Sequence, residues 1–171
     1  MIISLEELRS EKDLSTLSDT QLEMMSNGIE DFIRQYTNNN FINKNVTYNT
    51  PSVDGKLNTV SSMFNVGDTV LISNSKYNNG LYVIQSIDGT LNKTLFDDDN
   101  NKVTLVTYPD AVKVGVVKLM RYSALMDGKM GISSESISRH SVSYAQPTGD
   151  AIGGYPSILM SFLKPYMKAR F

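Results

Sequence analysis

The chain contains no cysteine, no tryptophan and a single histidine, His140, among its 171 residues. Without cysteine it has no disulfides, no zinc–thiolate site and no cysteine nucleophile, and this composition suits the reducing cytosol. His140 lies near Ser138 and Ser141. A catalytic triad also requires a carboxylate that orients the histidine and an oxyanion hole near the serine, and nothing in the sequence indicates that geometry. We therefore predict that the protein is not an enzyme and that it holds no cofactor and no metal.

Charge is also scarce and nearly balanced, with 16 Lys and Arg against 18 Asp and Glu, for a net charge of −2. A protein that wraps nucleic acid needs clustered cations, so we expect no specific nucleic-acid binding. No apolar run approaches the length of a membrane span, and the first residues lack the basic region and apolar stretch of a signal peptide. We therefore expect no membrane partner.

One acidic run invites a calcium interpretation. Asp97, Asp98 and Asp99 are followed by Asn101, but an EF-hand loop needs glycine at its sixth position and glutamate at its twelfth. Lys102 and Tyr108 stand at those positions, so we interpret the run as a solvated hairpin turn. The glycine-rich segment 149–154 lacks the Lys-Ser/Thr pair of a phosphate-binding loop, and we interpret it as a hinge.

Two capping boxes predict helices near the N-terminus. Ser4 is followed by Glu7, and Ser18 by Gln21, at the three-residue spacing that closes both ends of such a box. From the second box onward, apolar residues recur at helical spacing and predict a helix over about 18–37. These apolar residues are Leu22, Met25, Ile29, Phe32, Ile33 and Tyr36.

A third helix is predicted over about 110–127, and it has apolar residues on two sides. One stripe contains Val112, Val116, Leu119, Ser123 and Met126, and the other contains Val114, Val117 and Leu125. Two such stripes indicate a central helix or one that is buried between subunits. The strict alternation over 112–116 favours a strand instead. We prefer the helix because 118–126 continues without a turn signal.

Between these helices, 41–108 has the character of short strands separated by turns. The strands are expected at 66–72, 81–84 and 103–108, and residues 64–70 resemble the opening strand of small SH3-like barrels.

After the third helix, 132–144 is expected to be extended. A last helix starts at Pro156, buries Leu159, Phe162 and Leu163, and ends at Pro165. The fold class is therefore α+β: a helical domain formed by 1–40 plus 109–171, with an inserted small β-barrel-like domain at 41–108.

The C-terminal third carries the most specific motifs. Residues 134–144 contain Ser-Glu-Ser-Ile and then Ser-Val-Ser-Tyr, and the chain continues with Tyr-Pro-Ser at 155–157, Leu-Lys-Pro-Tyr at 163–166 and Arg170. In this order after the predicted helices, these motifs resemble the small head–tail connector (adaptor) proteins of long-tailed bacteriophages. The β insert departs from minimal members of that family, which join the two helices by a short loop.

The resemblance implies a structural virion protein at the head–tail interface, assembled in the host cytoplasm. Its implied partners are the portal protein, neighbouring copies in a ring, commonly of twelve, and a stopper or tail-completion protein. Double-stranded DNA would pass through the ring without specific binding. The residues assigned to the interface with the portal or a neighbouring subunit are Glu135, Ile137, Val142, Tyr144, Tyr155, Phe162, Lys164, Tyr166 and Arg170.

An alternative function belongs to another class. The SH3-like insert is a candidate nucleic-acid-binding module, in which Tyr77, Tyr82 and Tyr108 would stack on bases. A separate expectation concerns the docking segment 131–171, which is rich in serine and glycine. We expect it to be mobile in the free subunit and ordered in the ring.

Overall fold

A computed structural model describes residues 2–127, 134–137, 140–143 and 151–169, with only the backbone of 134–137 and 140–143. The protein is α+β, and the described residues form four α-helices and a curled, antiparallel five-stranded sheet. The elements in chain order are α1 (Leu5–Arg9), α2 (Asp19–Thr37), β1 (Ile42–Val53), β2 (Lys56–Leu57), β3 (Thr69–Ser73), β4 (Gly80–Val83), β5 (Asp98–Val106), α3 (Asp110–Met126), β6 (Ser134–Ile137), β7 (His140–Ser143), β8 (Ala151–Ile152), β9 (Tyr155–Pro156) and α4 (Ser157–Met160). Two 3₁₀ turns lie at Lys12–Leu14 and Ser161–Tyr166.

The chain divides into two compact units. Unit 1 contains Met1–Asn39 and Pro109–Phe171, and unit 2 contains Asn40–Tyr108. Unit 1 carries all of the helices, and unit 2 carries the five-stranded sheet.

The first two helices of unit 1 begin at the predicted capping boxes. The Ser4 hydroxyl accepts from the backbone amide of Glu7, and the Ser18 hydroxyl accepts from the backbone amide of Gln21. In return, the side chains of Glu7 and Gln21 accept from the backbone amides of Ser4 and Ser18. These bonds satisfy amide groups that have no partner within the helix. At its other end α2 stops at Asn38, whose φ of 50° places it in the left-handed region.

The third predicted helix is confirmed as α3, and the strand alternative is wrong. Val112, Val116 and Leu119 are buried, as expected of the first apolar stripe. The second stripe is not covered in the same way, because Val114 is 55% exposed and Leu125 is 61% exposed. α3 therefore packs on one side and presents apolar side chains on another.

The C-terminal segment of unit 1 is packed into the unit. Met160 and Leu163 are buried to 1% and 0% exposure, and Pro165 lies inside the 3₁₀ turn that continues to Tyr166. The helical segment therefore does not end at Pro165 as predicted. The expectation that all of 131–171 is mobile is also wrong for 151–169, because that segment contributes core side chains.

The predicted glycine hinge has a different structure where it is described. Gly153 and Gly154 connect β8 to β9, with φ angles of 59° and 85° that favour glycine. A Cβ at Gly153 would lie 2.4 Å from the Phe32 ring. The two glycines thus form a tight turn packed against α2. Gly149 lies outside the described residues.

The segment predicted to be extended forms a two-stranded antiparallel sheet in its described part. β6 pairs with β7 from Ser134 opposite Ser143 to Ile137 opposite His140.

The sheet of unit 2 has the strand order β2-β1-β5-β3-β4, with antiparallel pairing throughout. One cluster of apolar side chains forms its core: Leu57, Phe64, Val70, Ile72, Ile84, Leu91, Leu95 and Val103. The predicted strands at 81–84 and 103–108 correspond to β4 and to the second half of β5. The predicted strand at 66–72 begins only at Thr69, because Gly67 takes a φ of 94° and its amide donates to the Ile84 carbonyl.

The turn predicted at Asp97–Asn101 is wrong for most of its length, because β5 begins at Asp98. Asp98 is held in the strand by its carboxylate, which accepts from the Ser75 hydroxyl and the Lys76 amide at 2.6 Å each. Asn101 is fully buried. Acidic and amide side chains here hold strands together through specific hydrogen bonds, which outweigh their intrinsic preference for turns.

Candidate functional site

Four of the nine predicted interface residues have described side chains, and all four lie in the C-terminal segment of unit 1. They are Tyr155, Phe162, Lys164 and Tyr166. Glu135 and Ile137 fall in β6 and Val142 falls in β7, while Tyr144 and Arg170 lie outside the described residues.

Tyr155 joins the C-terminal segment to both long helices. Its hydroxyl shares a 2.9 Å hydrogen bond with the Ser123 hydroxyl of α3. Its ring centroid lies 6.4 Å from that of Phe32 in α2 and 6.0 Å from that of Tyr122 in α3. A half-buried tyrosine with this set of contacts holds the start of the C-terminal segment in a fixed position.

The end of the same segment is fastened to the end of α2 by hydrogen bonds. The Lys168 amide donates to the Thr37 carbonyl at 2.8 Å, and the Asn38 side-chain amide donates to the Ala169 carbonyl at 2.8 Å. The Asn39 side-chain amide donates to the Tyr166 carbonyl at 3.1 Å. The asparagines after α2, predicted only to end that helix, therefore also position the C-terminal residues.

Between these anchor points, Phe162 packs on α3 and Lys164 faces solvent. A Cβ at Gly115 would lie 2.3 Å from the Phe162 ring, so the ring sits directly against the glycine. Lys164 is exposed and Tyr166 is half-buried. The segment thus offers a cationic side chain from a backbone that is held at both ends.

A second surface feature of unit 1 is an apolar trough between α2 and α3, which we call the α2–α3 trough. Two adjoining cavities of about 280 and 320 Å³ form it, and both are lined by Met24, Met25 and Ser123. The other lining residues are Leu17, Gln21, Gly28, Ile29, Phe32, Ala124, Asp127, Gly153 and Tyr155. Met24 is 70% exposed. Methionine side chains adapt to irregular partners, and an open apolar surface of this kind is typical of interaction sites.

The aromatic residues predicted to stack on bases do not form a common surface in unit 2. Tyr108 is buried, with its ring centroid 4.9 Å from that of Phe41, and is therefore inaccessible to a base. Tyr82 is partly buried against the core, and this burial raises the pKa of its hydroxyl. Of the three, Tyr77 alone is largely exposed, at 57%.

Tyr77 has a neighbour that sequence reasoning missed. Phe96 is 70% exposed, and its ring centroid lies 6.2 Å from that of Tyr77 at an angle of 59°. The Lys76 ammonium lies 4.8 Å from the centre of the Tyr77 ring, within the range of a cation–π contact. The sequence signal was limited to an aromatic residue, Phe96, directly before an acidic run.

A buried polar network supports this aromatic pair. The Asn78 side-chain amide lies 3.1 Å from the Ser52 hydroxyl, 2.8 Å from the Phe96 carbonyl and 3.1 Å from the Asn101 side-chain oxygen. Its oxygen accepts from the Phe96 amide at 2.9 Å. The backbone amide and the backbone carbonyl of Phe96 are thus both hydrogen-bonded to the Asn78 side chain. These bonds fix the loop that carries the aromatic pair.

Within the described ranges, no three His, Cys, Asp or Glu side chains lie close enough together to hold a metal ion. The helices described there are all too short or too polar to qualify as membrane spans. Unit 1 exposes the apolar side chain of Met24 at the α2–α3 trough and the cationic side chain of Lys164 in the C-terminal segment.

Comparison with models of known protein families found no match, and comparison with curated protein sequences found none either.

Proposed function

We propose that the protein is a head–tail connector of a long-tailed bacteriophage: a virion structural protein that forms a ring under the portal. In this proposal, unit 1 is the connector domain and unit 2 is an inserted SH3-like domain. The ring extends the DNA channel and gives the stopper or tail-completion protein a surface to dock on. The motifs at 134–144 and 155–170 support the proposal through their resemblance to that family.

The observation that carries the proposal is the construction of the C-terminal segment. Its backbone is bound to the end of α2, its apolar side chains Met160 and Leu163 lie in the core, and Lys164 remains exposed. A prearranged segment of this kind binds a partner without paying the entropy of ordering a flexible tail. Lys164 is therefore assigned to an acidic surface on the portal or on a neighbouring subunit.

The test is reconstitution with the portal protein of the same virus, viewed by negative-stain electron microscopy. We expect an added ring of density below the portal. Lys164→Glu should weaken that binding, because the new carboxylate would face an acidic surface. Lys93→Glu makes the same charge change at an exposed residue of unit 2 and should bind as the unaltered protein does. Portal particles that gain no density at saturating protein would contradict the proposal.

A second candidate function rests on Tyr77 and Phe96, whose exposed rings are held on a fixed loop. Single-stranded nucleic acid stacks on such rings. Against it, Asp97 and Asp99 flank the pair and would repel phosphates. We expect binding to DNA no tighter than about 10⁻⁴ M at physiological salt. Submicromolar binding that falls steeply with salt, and is lost in Tyr77→Ala, would favour this candidate instead.

A further inference from the structure

The aromatic pair of unit 2 is exposed although it stands on a fixed loop. The rings of Tyr77 and Phe96 are 57% and 70% exposed, and their centroids are 6.2 Å apart. The Asn78 side chain binds the Phe96 backbone, and the Tyr77 amide donates to the Ser75 hydroxyl at 3.3 Å. A fixed aromatic surface loses little conformational freedom when a partner covers it, and buried aromatic side chains contribute much of the affinity of protein interfaces.

Exposed carboxylates lie beside the pair. Asp97 directly follows Phe96, and its Oδ1 accepts from the Asp54 amide at 3.0 Å. Asp54 is exposed at the turn between β1 and β2, where its φ of 52° is followed by a φ of 82° at Gly55. Asp99, two residues further along the chain, is exposed as well. This surface therefore attracts a cationic partner and repels phosphate groups.

One of the two rings already holds a cation. The Lys76 ammonium lies 4.8 Å from the centre of the Tyr77 ring, within the range of a cation–π contact. Phe96 is more exposed than Tyr77 and has the Asp97 carboxylate directly after it. It therefore offers an aromatic face and a carboxylate to a cation from outside the chain.

The combination of a ring and a carboxylate favours arginine over lysine. A guanidinium group is planar and weakly hydrated, so it stacks on an aromatic face and donates two parallel hydrogen bonds to a carboxylate. An ammonium group is a strongly hydrated point charge and lacks this planar match. Because the rings of Tyr77 and Phe96 already lie against each other at an angle of 59°, the guanidinium would stack on the outer face of Phe96.

We propose that unit 2 binds an arginine-bearing segment of another protein at Phe96 and Asp97. The guanidinium group stacks on the Phe96 ring and pairs with the Asp97 carboxylate, and Tyr77 positions the Phe96 ring. This binding involves described residues of unit 2 alone, so it does not depend on whether unit 1 binds a portal.

The test measures fluorescence anisotropy of a labelled oligo-arginine peptide, and of an oligo-lysine peptide of equal length, with the full chain. The arginine peptide should bind about three- to fivefold more tightly, the size of a cation–π contact at an exposed site. Phe96→Ala should weaken its binding about tenfold and remove the preference for arginine. Phe96→Tyr keeps the aromatic face and should keep both. Asp97→Asn should weaken the binding about threefold.

Two control variants make comparable changes elsewhere on the surface. Ile87→Ala truncates a side chain of unit 2 that is 80% exposed, and Glu23→Gln removes an exposed carboxylate of unit 1. Both should bind the arginine peptide as the unaltered protein does. Equal binding of the two peptides to the unaltered protein would overturn the inference, and so would unchanged binding of the arginine peptide to Phe96→Ala.

Lys76→Ala separates a basic peptide from nucleic acid as the ligand. The variant removes a like charge and uncovers the Tyr77 ring, so it should tighten binding of the arginine peptide about two- to threefold. Loss of folded structure cannot produce such a gain. Binding of single-stranded oligo-dT should instead weaken, because the lysine is then lost as a phosphate contact. Weaker peptide binding by Lys76→Ala would overturn the inference, as would submicromolar oligo-dT binding that is lost in Phe96→Ala.

Discussion

The ring of Phe162 occupies the space that a side chain at Gly115 would need. A Cβ at that position would lie 2.3 Å from two of the ring carbons, although the backbone of Gly115 is ordinary α-helix. The glycine is therefore required for space and not for its backbone conformation. This contact joins the C-terminal segment to α3.

Gly115→Ala should lower the free energy of unfolding of unit 1 by about 1–3 kcal/mol, because the added methyl group overpacks the contact with Phe162. Urea denaturation followed by circular dichroism measures the change. Gly28→Ala is the matched control, since a Cβ there meets nothing within 4 Å. It should raise stability by about 0.5–1 kcal/mol through helix propensity.

Gly115→Ala in a Phe162→Ala background separates the clash with the Phe162 ring from other effects of the added methyl group. Once the ring is removed, Gly115→Ala should be neutral or stabilising, because only the propensity gain remains. A loss of similar size in both backgrounds would show that Phe162 is not the cause.

Asn78 is the centre of the polar network in unit 2, and Asn78→Asp should destabilise that unit by about 3 kcal/mol. The change replaces a buried amide donor by a carboxylate oxygen that faces the Phe96 carbonyl and the Asn101 side-chain oxygen. A buried acceptor without a donor keeps its full cost of desolvation. The control is Asn58→Asp, the same change at an exposed residue, and it should stay close to the unaltered protein.

Asp98 gives unit 2 a specific dependence on pH. Hydrogen bonds from the Ser75 hydroxyl and from the Asn100 amide lower the pKa of this carboxyl group. A lowered folded-state pKa contributes stability above the unfolded value, and this contribution is lost as the pH falls through the folded value. The urea midpoint of unit 2 should therefore decrease on acidification below about pH 4, the ordinary pKa of aspartate.

Ser75→Ala removes the largest cause of that shift. The pKa of Asp98, measured by NMR titration of its side-chain carbon, should move upward towards its ordinary range. Asp98→Asn should lower the urea midpoint of unit 2 at neutral pH and make that midpoint less dependent on pH below about pH 4. An unchanged Asp98 titration in Ser75→Ala would refute the assigned cause. Asp88, whose pKa is also lowered, should titrate as before and serves as the internal reference.

Local signals predicted the helices well. The boundaries of α2 and α3 lie within a residue of those expected, because capping boxes, apolar spacing and Pro109 are all local properties of the chain. The strands of unit 2 were harder to predict. β1 is largely polar and includes Pro51, and β5 begins with residues that favour turns, so their pairing depends on partners distant in sequence.

The surface features depended still more on tertiary structure. The pattern of α3 indicated two apolar stripes, but the sequence could not show which of them the core would cover. The trough arises from α2, α3 and the turn at Gly153, which come from three separate parts of the chain. Likewise, Tyr108 pairs with Phe41 and Phe96 with Tyr77, and no local pattern identifies those partners.

The two chain ends of unit 2 lie side by side, which leads to a prediction about its independence. The rings of Phe41 and Tyr108 are 4.9 Å apart, and the Thr107 amide donates to the Phe41 carbonyl at 2.9 Å. The unit also has its own apolar cluster. Residues 40–108 expressed alone should therefore unfold in a single cooperative transition.

Because a short linker spans closely spaced ends, replacing 41–108 by a few Gly and Ser residues should leave unit 1 folded. Calorimetry of both proteins checks this. A linker variant without a cooperative transition would show that unit 1 needs unit 2, and a non-cooperative 40–108 fragment would show that the sheet does not fold alone.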